Sequence, residues 1–141
     1  MSDELSRERY QALAEFRYQV RRFQRFSDEA ARAADLEPQQ HQILLAIKGS
    51  DAESMTIGEL AERLQIQHHS AVELVARAAS RGLVTRERGE ADRRQVFVGL
   101  TPAGEVALRE LSSTHHRELL SAAPELIRVL QRVIADESSR G

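Results

Sequence analysis

LVTRERGEADRRQVFVGLTPAG, residues 83–104, is the stretch that decides the fold. Residues 83–87 and 95–100 are short runs of strand-forming residues, and the polar, turn-like segment 88–94 between them predicts a hairpin. Thr101 before Pro102 reads as an N-cap followed by a first-turn proline, so a helix opens there. Just upstream, Thr56-Ile57-Gly58-Glu59 has the spacing of a capping box. Ile57, Leu60, Ala61 and Leu64 follow at i, i+3, i+4 and i+7, which predicts a short helix over 56–64. The turn Gln65-Ile66-Gln67, with Ile66 directed into the core, leads to a helix over 68–81. Ala71, Leu74, Val75 and Ala78 form its inner face, and Gly82 is placed for a left-handed C-cap. A helix-turn-helix followed at once by an Arg-tipped hairpin is a winged helix, an arrangement suited to duplex DNA.

Outward from this module the chain is helical. Tyr10, Leu13, Phe16, Val20, Phe23 and Phe26 recur at spacings of three and four, one apolar stripe on a helix near 5–34. Pro38 ends that helix and begins another over 38–48, apolar on more than one side through Ile43, Leu44, Leu45 and Ile47. Residues 51–54 read as a loop. After Pro102 the apolar pattern predicts a helix to about Ser121, and Pro124 reads as the start of a separate last helix. The fold class expected is mainly α (α+β): a single domain over 1–141, with a winged module at 36–100 and helical dimerisation regions at 1–35 and 101–141. The two amphipathic terminal helices exceed what one small module needs. They fit a two-fold homodimer, the plainer alternative being that they enlarge one core.

Bulk composition narrows the function. With 41% apolar and 30% charged residues the chain is a globular protein rather than a disordered one. Its net charge of −2 means that any affinity for nucleic acid must be local. Such a local excess exists between Arg77 and Arg94, where six arginines stand against Glu87, Glu90 and Asp92. Lys48 is the only lysine, and arginine's planar fork suits phosphates and guanine edges better than an ammonium does. The absence of cysteine removes disulfides, thiolate metal sites and thiol redox sensing. The opening MSDELSRERY lacks the apolar core of a signal peptide, and no apolar run approaches a bilayer span, so a cytoplasmic location without membrane contact is expected.

The chain resembles the MarR family of bacterial transcription regulators. The likeness rests on TIGELAERL (56–64), SRGLV (80–84) and above all DRRQVFVGLTPAG (92–104). The family pattern of Asp-x-Arg, strand, Leu-Thr-x-x-Gly falls on Asp92, Arg94, Leu100, Thr101 and Gly104. The terminal helices match the family's dimerisation helices in place and length. Three departures stand out: Gln67-His68-His69 where small caps or proline are usual, Ala78 where a larger apolar residue is common, and the lack of a reactive cysteine, which excludes a thiol-based peroxide sensor. The resemblance implies a homodimeric regulator, most commonly a repressor, on a pseudo-palindromic operator. It also implies a small aromatic or phenolic effector held between the dimer helices and the winged module, with Tyr10, Phe16, Arg17, His41 and His115 as candidates for lining that cleft.

The residues expected on DNA follow from helix-turn-helix geometry, in which the start of the second helix faces base edges. Here these are Gln67, His68, His69 and Ser70, with Glu73 and Arg77 further along and Thr56 at the head of the preceding helix. Glu73 has two readings: it accepts from a cytosine amine, or it holds Arg77 at i+4. In the wing, Arg93 and Arg94 are expected at the minor groove or its phosphates, with Arg88 beside them and Asp92 orienting Arg94, as the family pattern implies. Each of these is otherwise an ordinary solvated side chain.

Other classes find less support. His68/His69 and His115/His116 are adjacent pairs that splay on a helix and cannot chelate locally, and there is no HExxH. A metal-responsive regulator would need a site built across helices, such as His41 with His115 or His116, and none is assigned. No Gly-rich phosphate loop, Cys nucleophile or GxSxG occurs, so neither an enzyme nor a cofactor is expected. A winged helix used only for protein contacts is disfavoured by Arg88, Arg93 and Arg94.

Overall fold

The computed structural model describes residues 4–138, so the extreme ends of the helical regions, 1–3 and 139–141, lie outside it. The elements are α1 (Arg7–Ala33), α2 (Pro38–Lys48), β1 (Ser54–Thr56), α3 (Ile57–Leu64), α4 (His68–Ser80), β2 (Val84–Arg88), β3 (Val96–Leu100) and α5 (Pro102–Ser138). They divide into two compact units: Glu29–Ser112, and the residues up to Asp28 together with those from Ser113 onward.

The unit Glu29–Ser112 is a winged helix. Its strands form an antiparallel sheet in the order β1-β3-β2, with Met55 opposite Val98 and Arg86 opposite the same valine from the other side. Ile43, Leu44 and Ile47 of α2, Leu60 of α3, Leu74, Val75 and Ala78 of α4, Val98 of β3, and Leu108 and Leu111 of α5 share one core. The apolar period of each helix puts these residues on its inner face, and their removal from water is the main drive to fold.

The helix ends follow their sequence signals. Thr56 Oγ1 accepts from the Glu59 amide at 3.1 Å while Glu59 Oε1 accepts from the Thr56 amide at 3.3 Å. Gln65 closes α3 in the left-handed region (φ 54°), and Gly82 does the same after α4 (φ 73°). Gly82 thereby lets the Leu83 amide return to the Ala78 carbonyl at 3.0 Å and aims the chain into β2. Ile66, expected in the core, is partly buried and packs against it. Lys48 Nζ pairs with Glu53 at 2.8 Å and Glu105 at 3.2 Å, joining the end of α2 to the loop before β1 and to the start of α5. The hydrogen bonds to Glu53 and then Glu105 raise its pKa above the usual lysine value.

The start of α5 explains the Leu-Thr-x-x-Gly pattern. The Thr101 amide donates to the Leu83 carbonyl at 3.1 Å, and Thr101 Oγ1 accepts from the Gly104 amide at 3.0 Å. A Cβ on Gly104 would stand 2.1 Å from that same Leu83 oxygen. Only glycine lets the helix lie so close to the backbone at the base of the wing.

Two expectations are corrected. Residues 54–56, of which Ser54 was expected in a loop and Thr56 at the head of a helix, add a third strand to the hairpin. β1 is only three residues long and its partner β3 lies some forty residues on, so no local periodicity marks it. The two helices expected after residue 101 are one, because Pro124 sits inside α5. Proline removes one amide bond and crowds the carbonyl four residues back. Helix-favouring residues continue on both sides of it, and the helix runs through.

The unit formed by the two ends of the chain contains most of α1 and of α5. Ala12, Gln19 and Ser27 of α1 and Val129 of α5 are buried within it. His115 Nε2 and Ser27 Oγ lie 2.8 Å apart, and the His115 ring meets Phe26 edge-on at 5.7 Å.

Gly104→Ala is expected to destabilise the winged unit by about 1–3 kcal/mol, the usual cost of forcing an extra carbon into a packed site. Thermal unfolding of the variant checks this, and an unchanged midpoint would contradict the close approach to Leu83.

Candidate nucleic-acid interface

The second helix of the α3–α4 helix-turn-helix is α4, His68–Ser80. Gln67 is its N-cap but makes no side-chain capping bond, so the first amides of α4 have no side-chain acceptor from their own cap. Gln67, His68 and His69 are exposed and Ser70 is half-buried. An open depression of about 630 Å³ lies at the turn between α3 and α4, lined by Gly58, Glu62, Gln65, Gln67, His68 and Ser70 among others. Glu73 is exposed one turn further along α4. The Thr56 hydroxyl accepts from the Glu59 amide and donates to Glu59 Oε1 at 3.0 Å, so it serves the start of α3.

Arg77 takes a partner other than Glu73, the one that the second reading of Glu73 offered it. Its Nε and Nη2 donate to the two carboxylate oxygens of Glu37, at 3.1 and 3.2 Å. Glu37 stands at the head of α2, forty residues away, so the i+4 pairing with Glu73 is not what holds Arg77. One turn on, Arg81 donates to Gln40 Oε1 at 2.9 Å, to Asp35 Oδ2 at 3.3 Å and to the Asp35 carbonyl. Asp35, Glu37, Gln40 and Arg81 did not stand out in the sequence. Their partners are some forty residues distant, beyond any helical spacing.

The wing is built by its own polar groups. Asp92 Oδ1 accepts from the Arg94 amide at 3.0 Å and from Arg94 Nε at 3.2 Å, while Oδ2 accepts from the terminal guanidinium at 3.4 Å. These bonds, the backbone amide first, hold the Asp92 carboxyl below its usual pKa. Gly89 donates to the Gln95 carbonyl at 2.9 Å and closes the hairpin, and a Cβ on Gly89 would stand 2.6 Å from the Asp92 carbonyl. Arg88 donates to the Arg93 carbonyl at 3.1 Å, bracing the loop from within. Arg93 and Arg94 remain at the tip, the Arg94 side chain 92% exposed. Arg86, two residues before Arg88 on β2, is also exposed and was not singled out from the sequence.

The candidate effector-lining residues divide between the units. Tyr10, Phe16 and Arg17 on α1 and His115 on α5 belong to the unit of the chain ends, with Tyr10 and Arg17 exposed and Phe16 and His115 half-buried. His41 is in the winged unit, buried in α2 at 2% exposure. Among the described residues no three His, Asp or Glu side chains gather in a way that would hold a metal ion. Nor, among them, is any helix long and apolar enough to cross a membrane.

Residues 34–95 match the model of the MarR family. Over that segment the chain is similar to the MarR family. No curated protein sequence matches it. Solved structures of the same fold include AbsC, a MarR family transcriptional regulator from Streptomyces coelicolor, at 20% identity and a TM-score of 0.79, covering 99% of this chain and 97% of that one. A mutant MarR from E. coli complexed with operator DNA aligns at 23% identity and a TM-score of 0.66, over 83% and 89% of the two chains. BpsR of Bordetella bronchiseptica, whose DNA binding is regulated by 6-hydroxynicotinic acid, aligns at 19% identity and a TM-score of 0.66, over 86% and 89%. At these identities the likeness to the solved structures is one of fold.

Because the depressed pKa of Asp92 comes from bonds to Arg94, the wing tip keeps its order above the ordinary carboxylate value. It loses that order as pH falls through the depressed one. Asp92→Asn retains an oxygen for the Arg94 amide but no charge for the guanidinium. NMR of the variant is expected to show the Arg94 Nε–H exchanging faster while its backbone amide stays protected; equal protection of both groups in variant and wild type would contradict the pairing.

Proposed function

We propose that this chain is a DNA-binding transcription regulator, acting in the cytoplasm as a homodimer on pseudo-palindromic operators. One observation carries the reading: the exposed, polar start of α4 and a wing tip that presents Arg93 and Arg94 belong to one compact unit. In this reading Gln67, His68, His69 and Ser70 read base edges, and Glu73 accepts from a cytosine amine. Arg93 and Arg94 bind phosphate or the minor groove, oriented by Asp92, while Arg88 braces the wing behind them and Thr56 sets the start of α3. The E. coli relative complexed with operator DNA supports the same use of the fold. The chain would act by binding, with no catalytic step.

The helical regions 1–35 and 101–141 are assigned to dimerisation, flanking a DNA-binding module at 36–100. Leu119, Leu120, Ile127, Leu130 and Ile134 are exposed along α5. An apolar face of that length is normally covered, and a second copy is the economical cover. Regulation by a small aromatic or phenolic effector is supported by BpsR and its response to 6-hydroxynicotinic acid. Tyr10, Phe16, Arg17, His41 and His115 are the residues to test for it, and repression is the expected sign.

Binding to the DNA upstream of its own gene, measured by gel shift and then against salt, tests the function. Arg94→Ala is expected to weaken binding to every sequence and to lower the salt slope by about one unit. Wild-type protein that ignores duplex at low ionic strength would refute the proposal. Light scattering is expected to give a dimer. Leu120→Glu combined with Ile127→Glu should give a monomer with weakened operator binding, and a monomeric wild type would remove the dimer.

A further inference from the structure

Arg77 is the only arginine in α4, and it is not turned loose toward solvent. Two of its three guanidinium nitrogens donate to the Glu37 carboxylate, the two-pronged geometry that arginine makes best. Glu37 is itself held in place. Its backbone amide donates to Gln40 Oε1 at 3.1 Å, and Gln40 is fully buried. The same oxygen accepts from Arg81, whose guanidinium also reaches Asp35. The head of α2 is therefore a fixed acceptor beside α4, with Arg81 serving as its support.

An exposed ion pair adds little to folding stability, so stability gives small reason for this one. Its place on α4 gives a better reason. Ser70 and Arg77 are seven residues apart, two turns along one flank of the helix. A recognition helix lying in the major groove has a phosphate strand beside each flank. An arginine on that flank would meet phosphate, and Glu37 holds two of the guanidinium nitrogens and balances the charge that would do so. Phosphate contacts strengthen binding to every sequence alike. A carboxylate that occupies one such arginine lowers affinity without touching base readout, and so favours sites where α4 makes its base contacts.

We propose that Glu37 limits affinity for DNA by withholding Arg77 from the phosphate backbone. The inference rests on the DNA-binding reading above. It assigns to the α2–α4 pair a part in setting how tightly nonspecific duplex is held.

The test is a double-mutant cycle on a mixed-sequence duplex, with affinity measured across a range of salt concentrations. Glu37→Gln keeps the shape of the side chain and removes its charge. This variant should bind on the order of three- to tenfold tighter at moderate salt, with a slope steeper by about one unit. In an Arg77→Ala background the same substitution should produce neither change. A Glu37→Gln protein that binds equally or less well overturns the proposal, the weaker case meaning that Glu37 aims Arg77 at the DNA. A gain that persists without Arg77 also overturns it, assigning the effect to loss of a repelling carboxylate. If wild type fails to bind duplex at all, it is the DNA-binding reading that falls. If wild type binds and Arg94→Ala lowers the slope while Glu37→Gln changes nothing, only this inference falls.

Discussion

The Leu83 carbonyl oxygen is where three elements of the winged unit meet. Gly82 turns the chain out of α4 with a positive φ, and Leu83 enters the base of the wing. Its oxygen takes the Thr101 amide, and the backbone of α5 passes over it at Gly104. Helix α4, the hairpin and the start of α5 are thus fixed to one another through a single peptide group. Were that junction looser, the exposed face of α4 and the Arg94 tip could not keep a fixed relation, and the proposed DNA binding needs such a relation.

The charge arrangement is as economical as the backbone. A chain of net charge −2 gains no general attraction to DNA, so each arginine matters by its place. Arg88 is spent on the loop's own backbone, Arg81 on the elbow between α1 and α2, and Arg77 on Glu37. Arg93 and Arg94 project at the wing tip, Arg94 paired with Asp92, and Arg86 is exposed on β2. If the chain binds DNA as proposed, neutral pairing inside the module and cation at its tip would suit letting go of ordinary duplex in order to find a particular site.

How much of this was legible depended on distance along the chain. Thr56 with Glu59, Gly82, Thr101 with Pro102, and Pro38 at the head of α2 are signals read within a few residues, and each marks a boundary where the structure has one. The Asp92–Arg94 pairing is also local, but it was the resemblance to the family's Asp-x-Arg pattern that implied it. β1 was missed because a strand so short is defined only by its remote partner. Pro124 misled because the helix-breaking rule is a preference, and a long helix can absorb one lost bond. The Arg77–Glu37 and Arg81–Gln40 contacts depend on how α2 and α4 cross. That crossing comes from packing the whole core, and no spacing in the sequence encodes it.

Lys48 has a practical consequence. It is the chain's sole lysine, and its amine sits between two carboxylates that keep it protonated. Acylating dyes and amine-directed cross-linkers attack the uncharged form, so they meet a reluctant side chain here. Surface immobilisation through lysine would be inefficient and would disturb the joint between α2 and α5. Tagging chemistry aimed at an introduced cysteine would find no competing thiol anywhere in the sequence.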